Sequence, residues 1–115
     1  MSVVVLSSDL ATGSQIHAAA KQAGAPCATA LGPKSLAEKA AGSKLVLIDL
    51  TTPQLDLPEI VASLKALESP PAVVAFGPHV HTQQLQAAKD AGCDAVLTRG
   101  QMHSQSVELI ERLAK

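Results

Sequence analysis

Short apolar runs alternate along the chain with longer stretches in which apolar residues recur at helical spacing. The runs are Val3 to Leu6, Ala28 to Leu31, Leu45 to Leu50, Ala72 to Phe76, and Ala95 to Thr98. Three of them are almost continuously apolar rather than alternating. Strands read that way when helices cover both faces of a parallel sheet. Between the runs the pattern predicts five helices. The first spans about Ser14 to Gln22, after a Thr12-Gly13-Ser14 cluster and before Gly24. The second spans about Lys34 to Ala41, between Gly32-Pro33 and Gly42.

The third helix has the clearest start, Asp56-Leu57-Pro58-Glu59. Asp56 suits a cap, Pro58 is tolerated in the first turn, and Glu59 can close a capping box. Its Ile60, Val61, Leu64 and Leu67 form one apolar stripe. The fourth helix is expected over Thr82 to Ala91, ending at Gly92. The fifth is expected over Ser104 to Ala114, where Val107, Ile110 and Leu113 recur at helical spacing. Strict strand–helix alternation calls for right-handed crossovers and a doubly wound α/β sheet. In such sheets the working surface lies at the carboxyl ends of the strands, so the residues just after each strand are the ones to examine.

Composition narrows the picture. The 115 residues are 47% hydrophobic and 17% charged, enough for one domain over residues 1–115 with a filled core. Phe76 is the only aromatic residue, so that core must be built from Ala, Val, Leu and Ile. A lone aromatic also weakens any reading that needs aromatic stacking, such as single-stranded nucleic-acid binding. A net charge of −1 leaves no electrostatic footprint for nucleic acid or an anionic membrane. No apolar run approaches a spanning helix, and Val3 to Leu6 is too short for a signal peptide. Cys27 and Cys93 make no CxxC and no disulfide framework. A cytoplasmic protein is the expectation.

Two phrases then carry a likeness. Leu45-Val46-Leu47-Ile48-Asp49-Leu50-Thr51-Thr52-Pro53 resembles the third strand and following loop of response-regulator receiver domains. That family has its phosphoacceptor Asp at this strand end and a Pro four residues later. Ala91-Gly92-Cys93-Asp94-Ala95-Val96-Leu97-Thr98-Arg99 resembles the Gly-Ala-Asp stretch that leads into its fifth strand. The likeness covers essentially the whole chain. It implies a flavodoxin-like three-layer sandwich, with a five-stranded parallel sheet in the order 2-1-3-4-5 and five helices.

The departures from that family bear on chemistry. Its metal-binding acidic pair after the first strand falls on Ser7 and Ser8, with Asp9 one residue further on. Strand side chains alternate, so Asp9 need not point where a metal would sit. Its hydroxyl residue after the fourth strand falls on Phe76 or Gly77. Its Lys after the fifth strand becomes Arg99, followed by Gly100 instead of Pro, and the aromatic switch position becomes Val96. Asp49 is therefore the phosphoacceptor equivalent in a vestigial acidic pocket of Ser7, Ser8 and Asp9, rimmed by Thr51, Phe76, Gly77 and Arg99. Phosphoryl transfer rests on positioning and charge neutralisation, so loss of both acids should make it slow. A lone Asp49 beside Arg99 is expected to form an ion pair instead.

Other features are weaker. His79 and His81 follow the fourth strand and His103 the fifth, so zinc binding with Cys93 is imaginable. The simpler reading is exposed loop histidines, with no CxxC or HExxH beside them. His17 reads as a partly exposed helix residue, and the two cysteines as small hydrophobes. Gly32-Pro33-Lys34-Ser35 lacks the glycine spacing of a phosphate loop and reads as a turn.

The functional expectation is a phosphorylation-independent pseudo-receiver, not an enzyme, needing no cofactor. The resemblance implies a partner face on the fourth helix, fifth strand and fifth helix, around Gln84, Gln86, Gln105 and Glu108. That face would engage another signalling protein or a second copy, with no nucleic acid or membrane involved. No output domain follows Lys115 in this sequence, so such a module acts alone, in trans, or as part of a longer protein. Two alternatives remain: a true phosphoacceptor using Asp49 with Mg²⁺, and a small-molecule or metal binder built on the same loops.

Overall fold

The computed structural model describes residues 2–53 and 55–114. Five strands and five helices alternate without interruption: β1 (Val3–Leu6), α1 (Leu10–Ala23), β2 (Cys27–Ala30), α2 (Pro33–Ala40), β3 (Leu45–Asp49), α3 (Leu57–Lys65), β4 (Ala72–Gly77), α4 (Thr82–Asp90), β5 (Ala95–Thr98) and α5 (Arg99–Leu113). All strand pairs are parallel, and the sheet order is β2-β1-β3-β4-β5. This is the expected flavodoxin-like sandwich.

Strand alternation sorts the core into two layers. Val3 and Val5, Leu45 and Leu47, and Val74 and Phe76 face α1 and α5, where they meet Ile16, Ala19, Met102 and Ile110. Val4 and Leu6, Val46 and Ile48, and Val73 and Ala75 face the other way, onto Leu36 of α2 and Ile60, Val61 and Leu64 of α3. The three central strands are almost wholly buried, which is why they read as unbroken apolar runs. The edge strands β2 and β5 are only half-buried, and β2 reads poorly for that reason.

Several boundaries differ from the sequence reading, each for a local reason. α1 begins at Leu10, not Ser14, because the Asp9 carboxylate caps it and accepts from the Ala11 amide. Thr12, Gly13 and Ser14 therefore lie inside the helix. α5 begins at Arg99, not Ser104, because Thr98 and Gln101 form a capping box. β2 takes in Cys27 and releases Leu31, which is exposed. α3 stops at Lys65, so Leu67 joins that core from beyond the helix end. At the start of α3, Asp56 accepts from the Glu59 amide as expected. No described helix is long and apolar enough to cross a membrane.

Candidate functional site

The site lies at the carboxyl ends of β1, β3 and β5. In the β1–β3 register Leu6 stands opposite Ile48, which carries Ser7 to the level of Asp49. Both continue the face that packs on α1 and α5. Arg99 continues the same face from Ala95 and Leu97. Three side chains, one at or just beyond the carboxyl end of each of these strands, thus meet at one point.

Asp49 is fully buried and is held from several sides. Its Oδ1 accepts from the Thr51 amide at 3.0 Å and from the Thr51 hydroxyl at 2.7 Å. Its Oδ2 accepts from the Ser7 hydroxyl at 2.8 Å. Ser7 in turn accepts from the Asp9 amide at 3.1 Å. The charge of Asp49 is met by Arg99, whose Nη2 lies 3.5 Å from Oδ1. That separation makes a charge contact rather than a hydrogen bond.

Arg99 is anchored on its other nitrogen. Nη1 donates to the Thr12 hydroxyl at 2.8 Å and lies 3.6 Å from Asp9 Oδ2. Thr12 passes the bond on, donating to Asp9 Oδ2 at 2.8 Å. The result is a closed circuit from Asp49 through Ser7, Asp9, Thr12 and Arg99 back to Asp49. Within it, the Thr12 hydroxyl and then the Ala11 amide, helped by the charge of Arg99, hold the Asp9 carboxyl below its ordinary value of 3.8.

Thr12 was missed in the sequence. Its signal was legible in retrospect: it stands three residues after a capping Asp, where a side chain can turn back onto the cap. Ser8 is exposed and joins none of these bonds, so of the two serines only Ser7 reaches Asp49. Thr51, read as rim, is a direct partner of Asp49.

At the end of β4, Phe76 is the cross-strand neighbour of Asp49 and lies completely buried in the α1–α5 layer. Gly77 faces the opposite way, where an added Cβ would lie 3.3 Å from the Leu50 Cβ. The residue sharing Asp49's face is therefore an aromatic ring with no hydroxyl to offer.

The remaining candidates do not converge. His79, His81 and His103 are exposed. The Nδ1 of His81 lies 3.1 Å from Gln84 Oε1, and that of His103 lies 3.3 Å from Gln15 Oε1. Cys93 precedes β5, at the amino edge of the sheet, whereas the histidines stand at the carboxyl edge. No group of three or more His, Cys, Asp or Glu suited to a metal occurs among the described residues. His17 reaches the edge strand β2, 2.6 Å from the Thr29 hydroxyl. Burial pushes the Cys27 thiol up to about 11 and raises that of Cys93, so neither has the low pKa of a reactive thiol.

No protein-family model matches the sequence, and no curated protein does either. Solved structures do match, and they define a class: the chain has the fold of response-regulator receiver domains. One is the receiver domain of a sensor histidine kinase from Pseudomonas aeruginosa PAO1, with magnesium coordinated in its active-site cleft. It is 14% identical over 97% of this chain and 95% of its own, with a TM-score of 0.80. Another is the signal receiver domain of a response regulator from Bermanella marisrubri, 19% identical over 98% and 97%, with a TM-score of 0.79. A third is a CheY-like protein, TadZ, from P. aeruginosa PAO1, 22% identical over 96% of both chains, with a TM-score of 0.73. At these identities the likeness is one of fold.

The residues of this chain do not suit a magnesium ion. Such an ion wants carboxylate oxygens and room for its own waters. Here β1 is followed by Ser7 and Ser8, which bring hydroxyls and no carboxylate, and both Asp9 oxygens are engaged by the start of α1. Asp49 already faces a positively charged guanidinium, with Arg99 Nη2 3.5 Å from its Oδ1.

Proposed function

We propose that this chain works as one receiver-like signalling domain, residues 1–115, whose output does not depend on phosphorylation of Asp49. One observation carries the reading: Arg99 faces both Asp49 and Asp9, and Ser7 occupies the other oxygen of Asp49. A phosphoacceptor needs a free carboxylate oxygen and a cation that bridges it to the phosphoryl donor. In this pocket both Asp49 oxygens are hydrogen-bonded and the neighbouring cation is a side chain.

On this reading the protein is cytoplasmic, not an enzyme, and acts by binding another signalling protein or a second copy of itself. The face proposed for that contact is α4, β5 and α5. Its Gln84, Gln86, Gln105 and Glu108 are all exposed, and β5 between them is half-buried. The slightly negative net charge and the single, buried aromatic argue against nucleic acid as the partner.

The test is intact-mass measurement after incubation with Mg²⁺ and acetyl phosphate, with Asp49→Asn as control. No adduct on the folded parent is expected. A phosphoryl adduct that vanishes in the control would make this a working phosphoacceptor and defeat the proposal.

A further inference from the structure

We propose that Arg99 is a built-in cation: its guanidinium stands between Asp9 and Asp49 in the role of a divalent ion, so the pocket holds its form with no metal bound. This deepens the reading above and rests on it. The geometry supports it in three ways.

First, two different nitrogens of one planar group face two different carboxylates, Nη1 toward Asp9 and Nη2 toward Asp49. A planar fork offers a separate nitrogen to each carboxylate, where a lysine has a single ammonium to share between them. Second, Asp49 needs a counter-charge. Its side chain is 1% exposed, and an ionised carboxylate so deeply buried is costly unless paired. Ser7 and Thr51 supply hydrogen bonds but no charge. Among the described residues, Arg99 is the only basic side chain paired with either Asp9 or Asp49. Third, the guanidinium is seated rather than loose. The buried Thr12 hydroxyl accepts from Nη1 while donating to Asp9, which fixes the group from the α1 side.

The consequence is a reciprocal relation between Arg99 and divalent ions. Removing the guanidinium leaves a buried, uncompensated carboxylate with a second one near it. Carboxylate oxygens that accept one hydrogen bond keep a further lone pair, so once the guanidinium is gone two carboxylates with several retained waters attract Mg²⁺ or Mn²⁺ weakly. A metal-indifferent pocket should become a metal-responsive one through a single substitution.

The experiment compares the parent with Arg99→Gln and Arg99→Lys, reading melting temperature and backbone amide spectra against millimolar Mn²⁺, with sodium chloride matched for ionic strength. The parent and Arg99→Lys, which keeps a charge, are expected to be indifferent to Mn²⁺. Arg99→Gln is expected to melt roughly 5 °C lower, a loss that Mn²⁺ partly restores by binding the native state. Paramagnetic broadening should then appear at residues 9, 49 and 51. Broadening of the same residues in the parent overturns the proposal. So does an Arg99→Gln protein that no divalent ion affects, whatever its stability.

Should Arg99→Gln fail to fold, the parent decides alone. Separate, slowly rotating Nη resonances are expected for Arg99, and a single averaged signal would sink the idea. No phosphoryl donor enters this experiment. An adduct in the mass measurement therefore defeats the proposed function, and the Mn²⁺ titration defeats the built-in cation.

Discussion

Ser7 and Thr51 hold Asp49 from opposite sides, and the two contacts differ in what their loss would leave. Thr51 gives Oδ1 two bonds, amide and hydroxyl, so truncating its side chain leaves one in place. Ser7 is the partner of Oδ2, at 2.8 Å. Ser7→Ala strips that oxygen inside a buried site and is expected to cost about 2 kcal/mol. Urea unfolding checks it, and a cost near zero would mean that water replaces the hydroxyl. Asp9 makes a prediction of the opposite kind, in pH. Its folded-state pKa lies below the ordinary 3.8, chiefly through the Thr12 hydroxyl. The stabilisation it contributes is therefore complete above that value and is lost as pH falls through the lower, folded-state pKa. Asp9→Asn keeps a capping oxygen and drops the charge. The stability gap between parent and variant is expected to narrow as pH falls below 3.8. A gap that stays constant in a pH series of unfolding curves would show that the carboxylate charge contributes nothing.

At the scale of elements, two helix N-termini build the pocket. Asp9 caps α1, and Thr98 caps α5 through a reciprocal pair: the Gln101 amide donates to Thr98 Oγ1 at 3.2 Å, and the Thr98 amide donates to Gln101 Oε1 at 2.9 Å. Arg99 is the first residue of α5, so this cap sets where its side chain starts. Thr98→Ala is expected to destabilise the protein by about 1 kcal/mol, read as a lower urea midpoint with unchanged slope. A changed slope would instead mean that α5 has come loose as a unit. Both caps stand in the sequence, yet the expected helix starts fall at Ser14 and Ser104, beyond Gly13 and Gly100. Each lies inside its helix, and an added Cβ would meet nothing within 4 Å at either. Asp56, the cap of α3, was legible because Pro58 and Glu59 stand beside it.

The whole molecule is two apolar layers on one sheet, and Phe76 is the largest side chain fully buried in it. It lies directly under the pocket, as the cross-strand neighbour of Asp49 in the α1–α5 layer. Phe76→Ala is expected to cost about 3–5 kcal/mol, a large part of what a domain of this size has in reserve. Calorimetry would show it as a lower or absent transition, and a loss under about 1 kcal/mol would mean that the layer collapses to fill the cavity. By itself the sequence determined the alternation of strands and helices, the buried centre of the sheet, and the presence of Asp49 at a strand end. Those follow from the local period of apolar residues, which the backbone imposes whatever the partners are. The strand order came through resemblance, because periodicity carries no information about which strand lies beside which. Only the tertiary structure decided that Ser7 rather than Ser8 meets Asp49, that Phe76 rather than Gly77 shares its face, and that Thr12 seats Arg99. Alternation says that neighbouring residues point to opposite faces. Which of them meets a residue 42 or 87 positions away depends on inter-strand register and helix start, and those are set by packing across the whole fold.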